Sequence, residues 1–185
     1  MSRIPPLSPP YEPTVAARLA GMMPDGVPPI ALFRTFVHNM PMTDALVGWG
    51  GYALSPDLSL SLRDRELLID RTTARCDCEY EWGVHVAFFA DAADLTAAQV
   101  SSLTHGTPAD PCWSERDRVL IELADSVHDT ADVDDDLWAR LAQHLDQRQL
   151  LDALLLCGWY HAISYVATAA RVAVEAGAPR FADVA

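Results

Sequence analysis

The prolines divide this chain into two segments that cannot fold in the same way. Eight of the 13 prolines lie within the first 29 residues, among them the pairs Pro5-Pro6 and Pro9-Pro10. Proline lacks an amide hydrogen and disfavours helical geometry in the residue before it, so these pairs exclude a regular helix. We therefore predict a proline-rich N-terminal arm over residues 1–28, with one short helical stretch over 14–22, and a helical domain over residues 29–185. The arm has three alternatives: it lies on its own domain, on a neighbouring subunit, or is a frayed terminus.

From residue 29 onward, apolar side chains recur at helical spacing almost without interruption. Ser61, Asp77, Thr96 and Asp146 stand where helix N-caps are expected, and Gln follows three residues after the last two. The pattern predicts helices over residues 30–39, 42–54, 62–75, 78–92, 97–103, 115–128, 137–145 and 147–175. No segment alternates as a strand does, so we predict an all-α fold.

Two sequence pairs repeat in the same order. Residues 63–69 resemble residues 116–121 at an offset of 53, and the capping pairs that begin at Leu95 and Leu145 repeat at an offset of 50. The repeats predict a duplicated helical unit, and chance similarity between amphipathic helices is the alternative.

The charged residues exclude several kinds of chemistry. All 13 basic residues are arginine and the net charge is −13. Without lysine, the chain cannot form a Schiff base or a P-loop, so pyridoxal-phosphate enzymes and P-loop NTPases are excluded. The acidic surface argues against nucleic acid and anionic membranes as partners. No run of about 18 apolar residues predicts a membrane span.

The cysteines and the N-terminal sequence indicate a reducing compartment. The first residues show no apolar core of a signal peptide. We therefore expect a cytoplasmic protein in which the four cysteines, Cys76, Cys78, Cys112 and Cys157, are free thiols.

One predicted helix carries most of the reactive side chains. A helical wheel of about 100° per residue places five of them on one stripe: Cys78, Glu81, Trp82, His85 and Phe89. In the first turn the helix dipole would favour a thiolate at Cys78, and His85 could act as a general base. The alternative is a structural cluster of a buried cysteine, a Glu81–His85 pair and core aromatic rings.

The spacing of these residues resembles the signature of a known superfamily. Glu66 is followed after eleven residues by Cys78, after two more by Glu81, and after three more by His85. This spacing is similar to the frame of the alkylhydroperoxidase D (AhpD)/carboxymuconolactone decarboxylase superfamily. The similarity spans roughly residues 29–177. It implies an AhpD-like orthogonal helical bundle built from a duplicated unit, which self-associates as a dimer, trimer or hexamer.

The sequence departs from the peroxidase members of that superfamily at one position. Those members carry Cys-x-x-Cys, whereas Glu81 stands at the second cysteine. A carboxylate cannot resolve a sulfenic acid, so Cys76 would have to act with Cys78 in a peroxidase. The Tyr-Glu-Trp-x-x-His version resembles the decarboxylase-like branch. This resemblance implies acid–base chemistry without a cofactor, as a decarboxylase, another lyase or an isomerase, on a small carboxylated or cyclic ketone- or lactone-type molecule.

Two further classes stay open. One is a thiol-dependent hydroperoxide reductase that uses Cys78 with Cys76, and the other is a non-catalytic ligand-binding or assembly protein. For an enzyme, the expected catalytic residues are Glu66, Cys78, Glu81 and His85. The expected substrate-binding residues are Trp82, Phe89, Tyr160 and Arg75. The candidate anchors of an anionic substrate are Arg75, Arg71 and Arg34. The spacing around Cys76 matches no common zinc motif, so we assign no metal site.

Overall fold

The computed structural model describes residues 2–185 and is all-helical, as the sequence predicts. Met1, the first residue of the predicted arm, lies outside the described residues. Over these residues there is no strand. The helices are α1 (Pro13–Ala20), α2 (Ala31–Phe36), α3 (Met40–Ala53), α4 (Leu62–Arg75), α5 (Glu79–Phe89), α6 (Ala97–His105), α7 (Glu115–Thr130), α8 (Asp135–Leu141) and α9 (Gln147–Ala170), followed by a 3-10 turn over Phe181–Val184.

Most helix starts follow their capping residues. The Ser61 hydroxyl caps α4, and the predicted capping boxes at Thr96 and Asp146 are both formed. Two predictions were wrong. Helix α9 ends at Ala170 rather than at residue 175, since Arg171 adopts a left-handed conformation with φ of 52°. Asp77 is not a cap, because it has φ of 51° and Cys78 occupies the N-cap position of α5.

Helix α4 is the centre of the fold. It contacts α5, α6, α7 and α9, and every residue from Asp64 to Thr73 is buried. A helix buried on all sides places its polar side chains inside the protein as well as its apolar ones. Helix α4 therefore carries three of the six buried carboxyl groups of residues 2–185, and their charges must be compensated there.

Helices α4 and α7 are related as the predicted repeat requires. Arg63 of α4 pairs with Asp117 of α7 at 3.1 Å, and Arg116 of α7 pairs with Asp64 of α4 at 2.8 Å. Two reciprocal pairs are what a two-fold relation between duplicated helices produces. The same offset of 53 residues places Val119 of α7 at the position of a buried α4 carboxylate, Glu66.

The N-terminal arm lies on its own domain. The Arg3 amide donates to the Ala170 carbonyl at 2.8 Å, and the Leu7 amide donates to the Arg34 carbonyl at 3.0 Å. The arm thus joins the end of α9 to α2. In residues 2–185 the arm is therefore held by hydrogen bonds to its own chain.

Helix α9 is the one helix of residues 2–185 that is long and apolar enough to cross a membrane by length and composition. Half of its most apolar window is buried against the rest of the chain. A core helix of a soluble protein shows the same features, so they are weak support for a membrane span.

Candidate active site

The site begins with a buried hydrogen bond between α4 and α5. His85 Nδ1 lies 2.8 Å from Glu66 Oε2. The Glu66 side chain is fully buried and that of His85 is 5% exposed. A carboxylate only accepts hydrogen bonds, so this contact places the imidazole proton on Nδ1 and leaves Nε2 as the free nitrogen of the neutral ring.

Arg65 compensates the charge of Glu66. Its Nε donates to Glu66 Oε1 at 2.6 Å, so the two carboxylate oxygens have different partners. The guanidinium group also lies over the ring of Phe89, 4.9 Å from its centroid. The carboxylate is thereby held between a fixed cation and the His85 imidazole, and it cannot rotate without losing both contacts.

The second nitrogen of His85 points toward Glu81. His85 Nε2 lies 3.7 Å from Glu81 Oε1, too far for a direct hydrogen bond, and Glu81 Oε2 is buried with no partner. Burial raises the pKa of the Glu81 carboxyl, and the nearby His85 only partly opposes this effect. Glu81 therefore favours its protonated form more than an ordinary carboxyl group does, and in that form it can donate a proton.

These groups face a largely apolar cavity of about 390 Å³. Glu81, His85, Phe89 and Tyr160 line it. The Tyr160 ring packs edge-on against His85 with centroids 4.9 Å apart, and burial raises the pKa of its phenol. The other walls come from the arm and from helices α2, α3, α5 and α9, as Met22, Met23, Ile30, Leu32, Phe33, Phe36, Leu46, Val47, Leu54, Val84, Phe88, Trp159 and Ile163. No arginine is among the residues of 2–185 that line the cavity.

Sequence reasoning missed most of these walls. The apolar spacing of α2 and α3 marked their residues as core, but nothing in the pattern indicated which of them face a cavity. Met22 and Met23 belong to the arm, whose position the sequence left open. Arg65 had no predicted role, although it neutralises Glu66.

Three predicted site residues do not reach the cavity. Trp82 is fully buried on another side of α5, with its ring 5.0 Å from that of Phe181. Arg75 pairs with Asp129 at 2.6 Å, lies 3.6 Å from Asp125 and does not line the cavity. Glu81, His85, Phe89 and Tyr160 lie where the sequence places them, and Glu66 lies behind His85.

Cys78 is the third residue that lies away from the cavity lining. It precedes the first turn of α5, so the helical wheel does not describe its direction. The side chain is 1% exposed, in an apolar cluster with Ile30 and Ala167. Burial raises the pKa of the Cys78 thiol. The thiolate expected from a first-turn position is therefore disfavoured by desolvation.

A second carboxyl group lies unpaired beside this site. Asp70, one turn after Glu66 on α4, is 1% exposed, and neither of its oxygens has a hydrogen-bond partner. Burial first, and then the negative charge of Glu66, raise the pKa of Asp70 well above its ordinary value. The folded state therefore holds a proton on Asp70 at pH values where the unfolded chain has released it.

Replacing Asp70 with asparagine should flatten the pH dependence of stability. A raised native pKa gives stability that is present at acidic pH and lost as pH rises toward that pKa, and each tenfold change in the acid dissociation constant corresponds to about 1.4 kcal/mol. Asn cannot titrate, so the gain in unfolding free energy from Asp70→Asn should be larger at about pH 8 than at about pH 5. Urea unfolding at the two pH values measures this, with the exposed Asp136→Asn as the control. Equal effects of Asp70→Asn at both pH values would show that Asp70 does not titrate in this way.

Comparison with known proteins identifies the fold that carries these residues. No family model and no curated protein matches the chain. A crystal structure of a peroxidase-related protein from Silicibacter sp. TM1040 matches with a TM-score of 0.80 and 15% identity, over 95% of this chain and 93% of that one.

Two further crystal structures have the same fold. The AhpD core of a peroxidase-related protein from Ralstonia eutropha JMP134 matches with a TM-score of 0.79 and 15% identity, over 93% of each chain. The debrominase Bmp8 matches with a TM-score of 0.73 and 15% identity, over 98% of this chain and 97% of its own. These structures confirm the fold predicted from the Glu66–His85 frame: the chain has the AhpD-like all-helical fold.

Proposed function

We propose that this chain is an acid–base enzyme that needs no cofactor and moves a proton on a small cyclic ketone- or lactone-type molecule, as an isomerase or lyase. One observation carries the proposal. The buried Glu66 carboxylate accepts a hydrogen bond from His85 Nδ1 at 2.8 Å, which leaves His85 Nε2 free on the side of Glu81. Glu81 and His85 both line the cavity.

The arrangement supplies both halves of a proton transfer. His85 Nε2 takes a proton from the carbon beside the carbonyl, and the electron pair of the broken C–H bond moves toward the carbonyl oxygen. Glu81, whose raised pKa favours its protonated form, gives its proton to that oxygen. Glu66 stabilises the imidazolium that forms, and its own charge is balanced by Arg65. Return of the proton from His85 to a second carbon, while the oxygen gives its proton back to Glu81, completes an isomerisation. Loss of a carboxyl group as carbon dioxide in place of the proton makes the reaction a decarboxylation.

The cavity favours an uncharged substrate over a carboxylated one. Its walls are apolar, and no arginine lines it among residues 2–185. A carboxylate would lose its hydration there without gaining a cation, and the acidic group that it would meet on the cavity wall is Glu81. The same fold accommodates a small ring in the debrominase Bmp8, one variant of which was crystallised with 2,3,4-tribromopyrrole.

Thiol chemistry has less support. Cys78 is buried away from the cavity lining, its pKa is raised, and Glu81 stands where a resolving cysteine would be needed. All four cysteines are free. A hydroperoxide reductase would have to use Cys76 and Cys78, neither of which lines this cavity.

The proposal is tested by exchange with deuterium. The protein is incubated in heavy water with a panel of cyclic ketones, lactones and β-keto acids, and deuterium uptake and carbon dioxide release are followed. We expect uptake with an uncharged ring compound, and a rate that declines as pH rises through the raised pKa of Glu81. In Glu81→Gln the rate should fall and this decline should vanish, because Gln does not titrate. The exposed Glu115→Gln is the control.

Two results would contradict the proposal. The first is rapid peroxide consumption with loss of two thiols, which would establish the reductase. The second is saturable binding of a ring compound without exchange or release, which would establish a non-catalytic binding protein.

A further inference from the structure

A second cluster of reactive side chains lies outside the cavity. Cys76 follows the last residue of α4, His128 is near the end of α7, and His161 is in α9. All three are partly exposed, and none of them lines the cavity. Three helices that are far apart in the sequence thus bring a thiol and two imidazoles to one place.

The distances within the cluster are short. Cys76 Sγ lies 3.9 Å from His128 Nδ1, and His128 Nδ1 lies 3.1 Å from His161 Nε2. One atom of each residue can be chosen so that all three lie within 4.8 Å of one another. The ligand atoms of Cys76 and His161 both lie close to His128 Nδ1, so the three side chains share one space between the helices.

These separations match a tetrahedral metal site. Bond lengths of about 2.05 Å to nitrogen and about 2.3 Å to sulfur require about 3.3 Å between two nitrogens and about 3.6 Å between sulfur and nitrogen. The observed distances of 3.1 and 3.9 Å differ from these values by a few tenths of an ångström. Small rotations of side chains would close the difference, with no movement of the helices.

The surroundings suit a metal-bound histidine. When His128 Nδ1 binds a metal, its other nitrogen, Nε2, carries a proton and needs an acceptor. Asp129 Oδ1 lies 4.0 Å from that Nε2, beyond direct hydrogen-bond distance, so a small rotation or a bridging water would complete the contact. Arg75 holds Asp129 at 2.6 Å. A carboxylate behind a coordinating imidazole is the usual outer partner in such sites. The ion pair of Arg75 then serves the cluster rather than a substrate.

We propose that Cys76, His128 and His161 bind one zinc-class metal ion, with water in the fourth position. One thiolate and two imidazoles are ligands of borderline softness, which zinc prefers over calcium or magnesium. The site links α4, α7 and α9. The sequence predicted no metal site, because Cys76 and His128 are 52 residues apart and no local motif contains both. The proposal is independent of the acid–base function.

Cobalt provides a direct test. The full chain, treated with EDTA and then dialysed, is titrated with Co²⁺ under reducing conditions and followed by absorption. We expect one equivalent per chain, a thiolate-to-cobalt charge-transfer band in the near ultraviolet and strong visible bands typical of a tetrahedral site. Added Zn²⁺ should displace the cobalt and remove the bands.

Variants assign the ligands. Cys76→Ser should abolish the charge-transfer band, and His161→Gln should weaken zinc binding by more than about tenfold. Cys112→Ser and His144→Gln are the matched controls and should bind as the wild type does. Circular dichroism verifies that each variant is folded, and His161→Gln replaces Cys76→Ser if the latter does not fold. Absence of tetrahedral bands in the wild type, or their persistence in folded Cys76→Ser, would overturn the proposal.

Discussion

Replacing Glu66 with alanine is expected to lower the free energy of unfolding by about 3–5 kcal/mol. Glu66 is fully buried and accepts from Arg65 Nε at 2.6 Å and from His85 Nδ1 at 2.8 Å. Its loss leaves a guanidinium and an imidazole buried without their acceptor. Removing one partner of a buried charged set costs more than the set contributes, because the remaining charge is uncompensated. Urea unfolding followed by circular dichroism measures the change.

The duplicated unit provides a matched control for this measurement. Val119 occupies in α7 the position that Glu66 occupies in α4, and it too is fully buried. Val119→Ala creates a cavity but strands no charge, so it should cost clearly less than Glu66→Ala. In Arg65→Met/Glu66→Ala part of the loss should return, because the stranded cation is gone. If Glu66→Ala costs no more than Val119→Ala, the carboxylate does not hold Arg65 and His85 as described.

Two kinds of sequence evidence predicted the residues of this site: helical spacing and the resemblance to a known frame. Helical spacing alone placed Glu81, His85 and Phe89 on one stripe of α5, and the structure finds all three on the cavity. Glu66 is on another helix, and only the resemblance to a known frame brought it to the site. Its pairing with Arg65 needs a buried helix α4, which binary patterning does not reveal, because a helix so rich in charged residues is expected at the surface.

The errors at the site arise because a sequence pattern does not show which other segments pack against a given side chain. A helical wheel gives the direction of a side chain around its own axis, not which neighbour lies in that direction. Trp82 lies near the predicted stripe, yet the C-terminal segment with Phe181 covers that side of α5. The wheel also assumes a helix, and Cys78 is outside one. The wall formed by Met22 and Met23 depends on where the arm lies, which hydrogen bonds to distant carbonyl groups decide.

Replacing His85 with glutamine should remove the proposed turnover while leaving the fold intact. The Gln amide can still donate to the Glu66 carboxylate, so the buried acceptor keeps a partner and unfolding should change far less than in Glu66→Ala. The amide cannot take a proton, however, and loss of a positioned general base costs about 10²- to 10⁴-fold in rate. The measurement is the deuterium exchange rate of the ring compound that the wild type turns over.

Two further variants test whether the effect is specific to His85. His144 does not line the cavity, so His144→Gln changes the same residue type without touching the site and should exchange at the wild-type rate. Glu81→Gln should lose less than His85→Gln, because Tyr160 also lines the cavity and its phenol remains protonated to polarise the carbonyl oxygen. A His85→Gln protein that is folded and exchanges within a few-fold of the wild type would remove the imidazole from the mechanism. The proton would then have to be taken by ionised Glu81, and the raised pKa of this residue leaves a smaller fraction of it ionised at mildly acidic pH.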